Sequence, residues 1–192
     1  RQEVLEALRT FPSFPMIESM EMKRENAICL LPMETKRDAI RHVVDSCPVF
    51  SVVPDHDRFL RAVFRRERVE STGIGHGVAI AHGKIIGLKT VAIALGISKE
   101  GIEYGSVDGN KVHLLFVIAS SPTTQLVYLR QLCRLLECAR RPDVRSSLDA
   151  FSGEDFPSFC RKMEDEVFSW LWQEPLPTCH PSAPQRPPHP AL

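Results

Sequence analysis

Nothing in this 192-residue chain approaches the ~18 consecutive apolar residues that a membrane-spanning helix needs, so membrane insertion is not expected. Neither sign of charge is in excess. Lys+Arg and Asp+Glu number 24 each, which removes any general pull toward nucleic acid or an anionic membrane and leaves only local basic sites. The first ten residues hold neither an apolar core segment nor a cleavage site, so they do not read as a secretory signal, and a cytoplasmic location is expected. Six cysteines (Cys29, Cys47, Cys133, Cys138, Cys160 and Cys179) include no C-x-x-C pair. The chain is long enough to build a core without staples, so buried reduced thiols are expected. His76, His82 and His113 match no common metal-ligand spacing, so no metal is expected. No internal repeat is found.

What is present is an apolar fraction of 43%, enough for an ordinary core, in a length that suits one domain. Residues 1–10 can form a short helix with Val4, Leu5 and Leu8 on one side, broken by Phe11-Pro12-Ser13-Phe14-Pro15. Residues 1–15 therefore read as a helical segment packed on or preceding the domain. Residues 27–31 read as a strand. Thr35 with Asp38 resembles a capping box, and Ala39, Ile40, Val43, Val44 and Cys47 follow at helical spacing up to Pro48. Asp55 can cap a second helix with the stripe Phe59, Leu60, Val63 and Phe64, which runs into the charged residues 65–68.

Composition then changes. Nine of the ten glycines fall within residues 73–109, separated by strand-like runs at 78–81 and 91–95, with a third run at 112–118. Asp108-Gly109 is a hairpin-type turn signal before that last run. After Pro122 the helical period returns, with Leu126, Leu129, Leu132, Cys133, Leu136 and Ala139 as the expected apolar face. Residues 143–150 read as a short helix. Ser152 with Asp155 starts a final one that carries Phe156, Phe159, Met163, Val167, Trp170 and Leu171. From Glu174 onward seven prolines and no apolar periodicity predict a disordered or extended tail over 174–192. The expected architecture is a single α/β domain over residues 16–173, a mixed β-sheet flanked by helices on both faces.

Chemistry concentrates in residues 66–84. His82 follows a strand-like run and precedes Gly83, which predicts a reactive side chain where a strand gives way to a loop. Gly83 removes bulk beside it and would let backbone N–H groups approach an anion; Gly73, Gly75 and Gly77 give the preceding loop the same freedom. Arg66 and Lys84 can supply positive charge, and a guanidinium suits bidentate contact with phosphate. A neutral imidazole offers one ring nitrogen as nucleophile while the other is held by an acceptor, which fits phosphoryl transfer. On spacing alone, an ordinary core or surface histidine remains the competing reading. The Gly73-Ile74-Gly75-His76-Gly77 run is not a dinucleotide loop, because its third glycine comes too early and a helix precedes it.

The block Arg66-Glu67, then Thr72-Gly73-Ile74-Gly75-His76-Gly77-Val78-Ala79-Ile80-Ala81-His82, resembles the active-site block of the mannitol/fructose-class enzyme IIA domains of the bacterial phosphotransferase system, among them the nitrogen-regulatory IIA proteins. Thr35-Lys36-Arg37-Asp38-Ala39-Ile40, the helix leading into Arg66-Glu67, Lys99-Glu100-Gly101-Ile102, Asp108-Gly109-Asn110-Lys111-Val112 and the helix around residues 129–136 extend the likeness over roughly residues 20–172. The resemblance implies that His82 accepts the phosphoryl group and that Arg66 stabilises the phosphorylated state. It implies that Ser71, Thr72 and the loop Gly73, Gly75, His76 and Gly77 line the site. The implied donor is HPr, the histidine phosphocarrier, charged from phosphoenolpyruvate through enzyme I; no metal or organic cofactor is implied.

Three positions depart from the family pattern. Ala81 replaces the usual proline, which loosens the backbone without removing a donor or acceptor. Tyr128 stands where many members carry a second site histidine; it can donate a hydrogen bond to a phosphoryl oxygen but cannot take an imidazolium's charge. His76 replaces a common asparagine and is expected to be a titratable neighbour of His82. Three functions follow from the resemblance. One is a regulatory phosphocarrier acting through phosphorylation-dependent binding of a downstream protein, favoured because the residues show no cysteine-centred IIB domain and no membrane IIC segment. The second is a sugar-transport subunit that passes phosphate to a separate IIB protein. The third is an interaction protein that has lost transfer.

Overall fold

A computed structural model describes residues 27–149 together with Ser158, Arg161, Lys162 and Asp165. The expectations for residues 1–15, the final helix and the Pro-rich tail lie outside the described residues, apart from helical backbone at those four positions. Strand β1 (Ile28–Leu30) leads to helix α1 (Lys36–Ser46), a 3-10 turn (Pro48–Val52) and helix α2 (His56–Val69). Strands β2 (Gly73–Gly75), β3 (Val78–Lys84), β4 (Ala92–Ile102) and β5 (Val112–Ser120) follow. A second 3-10 turn (Pro122–Thr124) runs into α3 (Gln125–Arg140), and α4 (Pro142–Asp149) comes after it.

Both anticipated N-caps form. Thr35 Oγ1 accepts the Asp38 N–H at 3.3 Å, and Asp55 Oδ1 accepts the Arg58 N–H at 2.8 Å. Each satisfies an amide that the helix itself leaves unpaired, an effect worth about 1 kcal/mol.

The five strands form one mixed sheet in the order β1-β4-β5-β3-β2. β1 runs parallel to β4 and β3 parallel to β5, whereas β4/β5 and β2/β3 are antiparallel. Register sorts the side chains by size. Ala79, Ala81 and Gly83 on β3 lie beside Leu115, Val117 and Ala119 on β5, which in turn pair with Gly96, Ala94 and Ala92 on β4. At these positions on β3 and β4 the face carries only alanine and glycine, and α1 and α2 lie on it. A Cβ at Gly96 would come 2.7 Å from Val43 of α1, and one at Gly83 would come 2.8 Å from Val63 of α2. The alternate residues, Ile80, His82, Ile93, Leu95, Leu114, Phe116 and Ile118, share the other face.

Several details depart from the sequence reading. β4 runs well past residue 95, through the polar stretch Ser98-Lys99-Glu100 to Ile102, with a register shift between Ile97 and Ile102 and a positive φ of 75° at Gly101. Polar residues two exposed in a row hide such a strand from a period-2 search. On α3 the expected face is only partly the buried one: Ala139 is buried, and Leu132 and Leu136 are partly buried against the core. Leu126 and Leu129 are 57% and 43% exposed and Cys133 is exposed, while Tyr128, Gln131, Arg134, Leu135 and Cys138 are buried. The buried stripe passes through a glutamine and an arginine, which apolar periodicity cannot register. No disulfide joins the cysteines among the described residues: Cys47 and Cys138 are buried, Cys29 partly so, and Cys133 is exposed.

The small-residue face gives a direct test. At Gly83 a new methyl group would meet the backbone nitrogen of Val63 at 3.1 Å as well as the side chains of Val63 and Phe59. Gly83→Ala is expected to lower stability by about 1–3 kcal/mol through overpacking. Urea unfolding would show this as a lower midpoint at unchanged slope; an unchanged midpoint would mean that α2 is not seated on β3.

Candidate functional site

His82 is the fifth residue of the seven-residue β3, so it stands within a strand and not at the start of a loop. The strand's alternation aims it at the large-residue face, while Gly83 faces α2 on the opposite side. Gly83 therefore serves helix packing. It does not form an anion cradle beside the histidine.

The imidazole is half-buried, and its Nδ1 lies 2.9 Å from the Ile80 carbonyl oxygen. A carbonyl can only accept, so Nδ1 carries the hydrogen and Nε2 keeps its lone pair. Burial, the largest influence, holds the proton affinity of His82 below the ordinary histidine value. The positive charges of Arg66 and Lys84 act in the same direction, against the Ile80 carbonyl and the Glu67 carboxylate. The result is a neutral imidazole with one fixed tautomer and its basic lone pair on Nε2.

The cleft in front of it is open, about 360 Å³, and joins several elements. α2 contributes Arg66 from its last turn, residues 70–74 contribute Ser71, Thr72 and Gly73, and α3 contributes Leu132 and Leu136. Arg66 Nη1 donates to the Glu70 carbonyl at 2.8 Å, capping its own helix end and holding the guanidinium over the chain turn that follows. Tyr128 reaches the same place from the first turn of α3: its ring centroid lies 5.8 Å from that of His82, tilted by 43°. Burial pushes the Tyr128 phenol above its usual range, so it stays protonated and able to donate.

The structure does not bring all of the expected residues together. Gly75, His76 and Gly77 form the tip of the β2/β3 hairpin, with φ of 87°, 54° and 74°. Two successive positive φ values at His76 and Gly77 are what a tight primed hairpin turn requires, and histidine is among the side chains that tolerate this region. The tip is anchored by Asp108, whose Oδ2 accepts the His76 N–H at 2.8 Å. It lies at the opposite end of β3 from His82, roughly 20 Å away at about 3.3 Å per strand residue. His76 is thus no titratable neighbour of His82, and the glycines there shape a hairpin instead of a phosphate loop. A pattern of closely spaced glycines looks the same in both roles.

Sequence reasoning also passed over a buried polar hub. The Glu67 side chain is 5% exposed. Its Oε2 accepts Lys36 Nζ at 3.2 Å and the Thr72 N–H at 3.3 Å, and its Oε1 accepts the Thr72 and Tyr104 hydroxyls. Lys36 also lies 4.3 Å above the Tyr104 ring and donates to Ser71 Oγ at 3.2 Å. Glu67 and Thr72 belong to the quoted block, but Lys36 and Tyr104 are 31 and 37 residues away from Glu67 and only the fold brings them to it.

Comparison with known proteins places this geometry in a family. Residues 21–160 match the family described as "Phosphoenolpyruvate-dependent sugar phosphotransferase system, EIIA 2". The chain is 35% identical over 120 residues to the fructose-specific EIIABC component of the phosphotransferase system of Bacillus subtilis, covering 62% of this chain but only 19% of that protein. It is 32% identical over 117 residues to the fructose-specific EIIA component of Haloferax volcanii, covering 61% of this chain and 76% of that one. A nitrogen regulatory protein of Bradyrhizobium diazoefficiens is 32% identical over 94 residues, covering 47% and 61%. Among solved structures, the nitrogen regulatory protein IIA-Ntr of Neisseria meningitidis superposes with a TM-score of 0.62 at 23% identity, over 77% of this chain and 94% of that one. The mannitol IIA of Escherichia coli gives 0.54 at 19%, over 77% and 96%. These two likenesses establish the mixed-sheet α/β fold, and the match over residues 21–160 establishes the lineage: the chain belongs to the EIIA type 2 family of the phosphoenolpyruvate-dependent sugar phosphotransferase system.

Proposed function

We propose that this chain is a phosphocarrier that takes a phosphoryl group from HPr onto Nε2 of His82 and uses its phosphorylation state to regulate a downstream protein. The observation that carries the reading is the 2.9 Å contact of His82 Nδ1 with the Ile80 carbonyl, which commits the lone pair to Nε2 of a side chain that lines the cleft. In the transfer, the Nε2 lone pair attacks phosphorus in line. The new N–P bond forms as the N–P bond to the donor's imidazole breaks, and that imidazole leaves with the electron pair. The Ile80 carbonyl stabilises the ring as it becomes more positive. Arg66 neutralises the equatorial oxygens, and the protonated Tyr128 hydroxyl donates to one of them.

The second reading, a sugar-transport subunit, is favoured by two comparisons. Two of the relatives are fructose-specific, and the Escherichia coli mannitol IIA has been solved as a complex with phosphorylated IIB (TM-score 0.52 at 20% identity). Transfer from the charged chain to a cognate IIB protein would favour transport. Failure of that transfer, with binding of another protein that depends on phosphorylation, would favour regulation. The third reading, an interaction protein without transfer, stands if no phosphate is accepted.

The first test is intact mass after mixing with enzyme I, HPr and phosphoenolpyruvate. One acid-labile phosphoryl group is expected on the wild type and none on His82→Ala. Arg66→Ala is expected to slow its appearance about 100-fold while leaving the domain folded. Full labelling of His82→Ala would move the site elsewhere, and wild-type kinetics in Arg66→Ala would remove that side chain from the reaction.

Acid titration supplies a second test. The unfolded chain protonates this imidazole near ~6.5, the folded one only at lower pH, so between those values the unfolded state binds more protons. The His82 contribution to stability is therefore complete above about 6.5 and declines as pH falls below it. NMR of the ring should give a midpoint under ~6.5. A midpoint at or above that value contradicts the neutral, buried nucleophile.

A further inference from the structure

The buried Glu67 hub has a route to the histidine that does not pass through Arg66. A carboxylate offers about four acceptor sites, and here each oxygen already takes two donors. Glu67 thus has no capacity left for an incoming group, and its influence must be exerted through the residues it holds. Thr72 is held twice, by its N–H and by its hydroxyl. Its carbonyl in turn accepts the Ile80 N–H at 3.1 Å. The β2 ladder ends at the pair Gly73 and Ala79, so this bond is the next contact along that edge of β3. Ile80 is also the residue whose carbonyl receives His82 Nδ1–H. A continuous path therefore runs from Lys36 on α1 through Glu67, Thr72 and Ile80 to the imidazole.

We propose that Glu67 is a positioning residue for His82: by clamping Thr72 against the edge of β3 it keeps the Ile80 carbonyl on Nδ1–H and so presents Nε2 as the nucleophile. Lys36 is the counter-ion of the buried carboxylate, 3.2 Å away, and Tyr104 closes the hub from the β4/β5 connection. The inference rests on the reading of His82 as the phosphoryl acceptor, but its first consequence, the ring tautomer, is measurable without any transfer. A glutamine at position 67 would turn amide hydrogens toward a cage made of donors, releasing Thr72 and with it the Ile80 carbonyl.

The test compares the full chain with Glu67→Gln and with the double variant Lys36→Met/Glu67→Gln, which leaves no unpaired buried charge should the single variant fail to fold. Long-range proton–nitrogen NMR of the unphosphorylated ring should show a single Nδ1–H tautomer in the wild type and a mixture in both variants. The phosphorylation rate constant at saturating HPr should fall about tenfold, with KM for HPr changed less than about twofold, because orientation and not docking is lost. An unchanged tautomer in a folded variant overturns the proposal. So does a raised KM at unaltered rate constant, which would make Glu67 a docking residue. If the tautomer shifts but even the wild type accepts no phosphate from HPr, the positioning role stands and the phosphocarrier reading falls.

Discussion

Helices α1 and α2 can press onto the sheet because β3 and β4 present only alanine and glycine on the face beneath them. Ala79, Ala81 and Gly83 on β3 and Ala92, Ala94 and Gly96 on β4 leave room for Val43, Phe59 and Val63 to come within contact of the strands. The rest of the site depends on that close approach. It brings the last turn of α2, with Arg66 and Glu67, level with the end of β3. The strand's alternation does the remainder, since the residue that precedes Gly83 must face the other way. A slip of one position in register would push the imidazole of His82 into the α2 interface and turn the glycine toward the cleft.

Electrostatics in the cleft are organised by two neighbouring side chains on one helix turn with opposite tasks. Arg66 spends one nitrogen on the Glu70 carbonyl and lines the cleft itself. Glu67 turns inward, where a lysine, two hydroxyls and an amide saturate it. An isolated carboxylate at 5% exposure would be costly, and one with a full set of donors is not. The arrangement sets a charge of each sign near His82, the buried one fully partnered, and the imidazole's proton affinity is lowered by burial more than by any single neighbour.

What could be read in advance divides along physical lines. Caps are local chemistry, so Thr35 and Asp55 were legible from single residues and their spacing. Strands β1, β3 and β5 and the helices were legible because their apolar periods are strong. β4 was only half visible, since Ser98, Lys99 and Glu100 interrupt its pattern. The buried face of α3 was only partly legible: Leu132, Leu136 and Ala139 lie toward the core as their spacing implied, but Gln131 and Arg134 are buried beside them while Leu126 and Leu129 are not. Within the site, Arg66, Ser71, Thr72, Gly73 and Tyr128 gather around His82 as the block and the resemblance implied, whereas Gly75, His76 and Gly77 sit at the far end of the strand and Gly83 faces away. Spacing along a chain does not distinguish a hairpin tip from an anion loop, nor one face of a strand from the other. The Lys36, Glu67 and Tyr104 hub was invisible for a different reason: its members meet only through sheet topology.

The two outermost strands of the sheet, β1 and β2, are only three residues long each, and β2 is Gly73-Ile74-Gly75 bent straight into a turn. Long, flat, unpaired strands are templates on which other chains can add and grow fibrils. Among the described residues the long strands β4 and β5 lie inside the sheet with a partner strand on each side, and the outermost strands offer a newcomer few consecutive amides to grip. On the phosphocarrier reading proposed above, which calls for repeated docking, rims this short let surface contacts form and release without seeding strand addition.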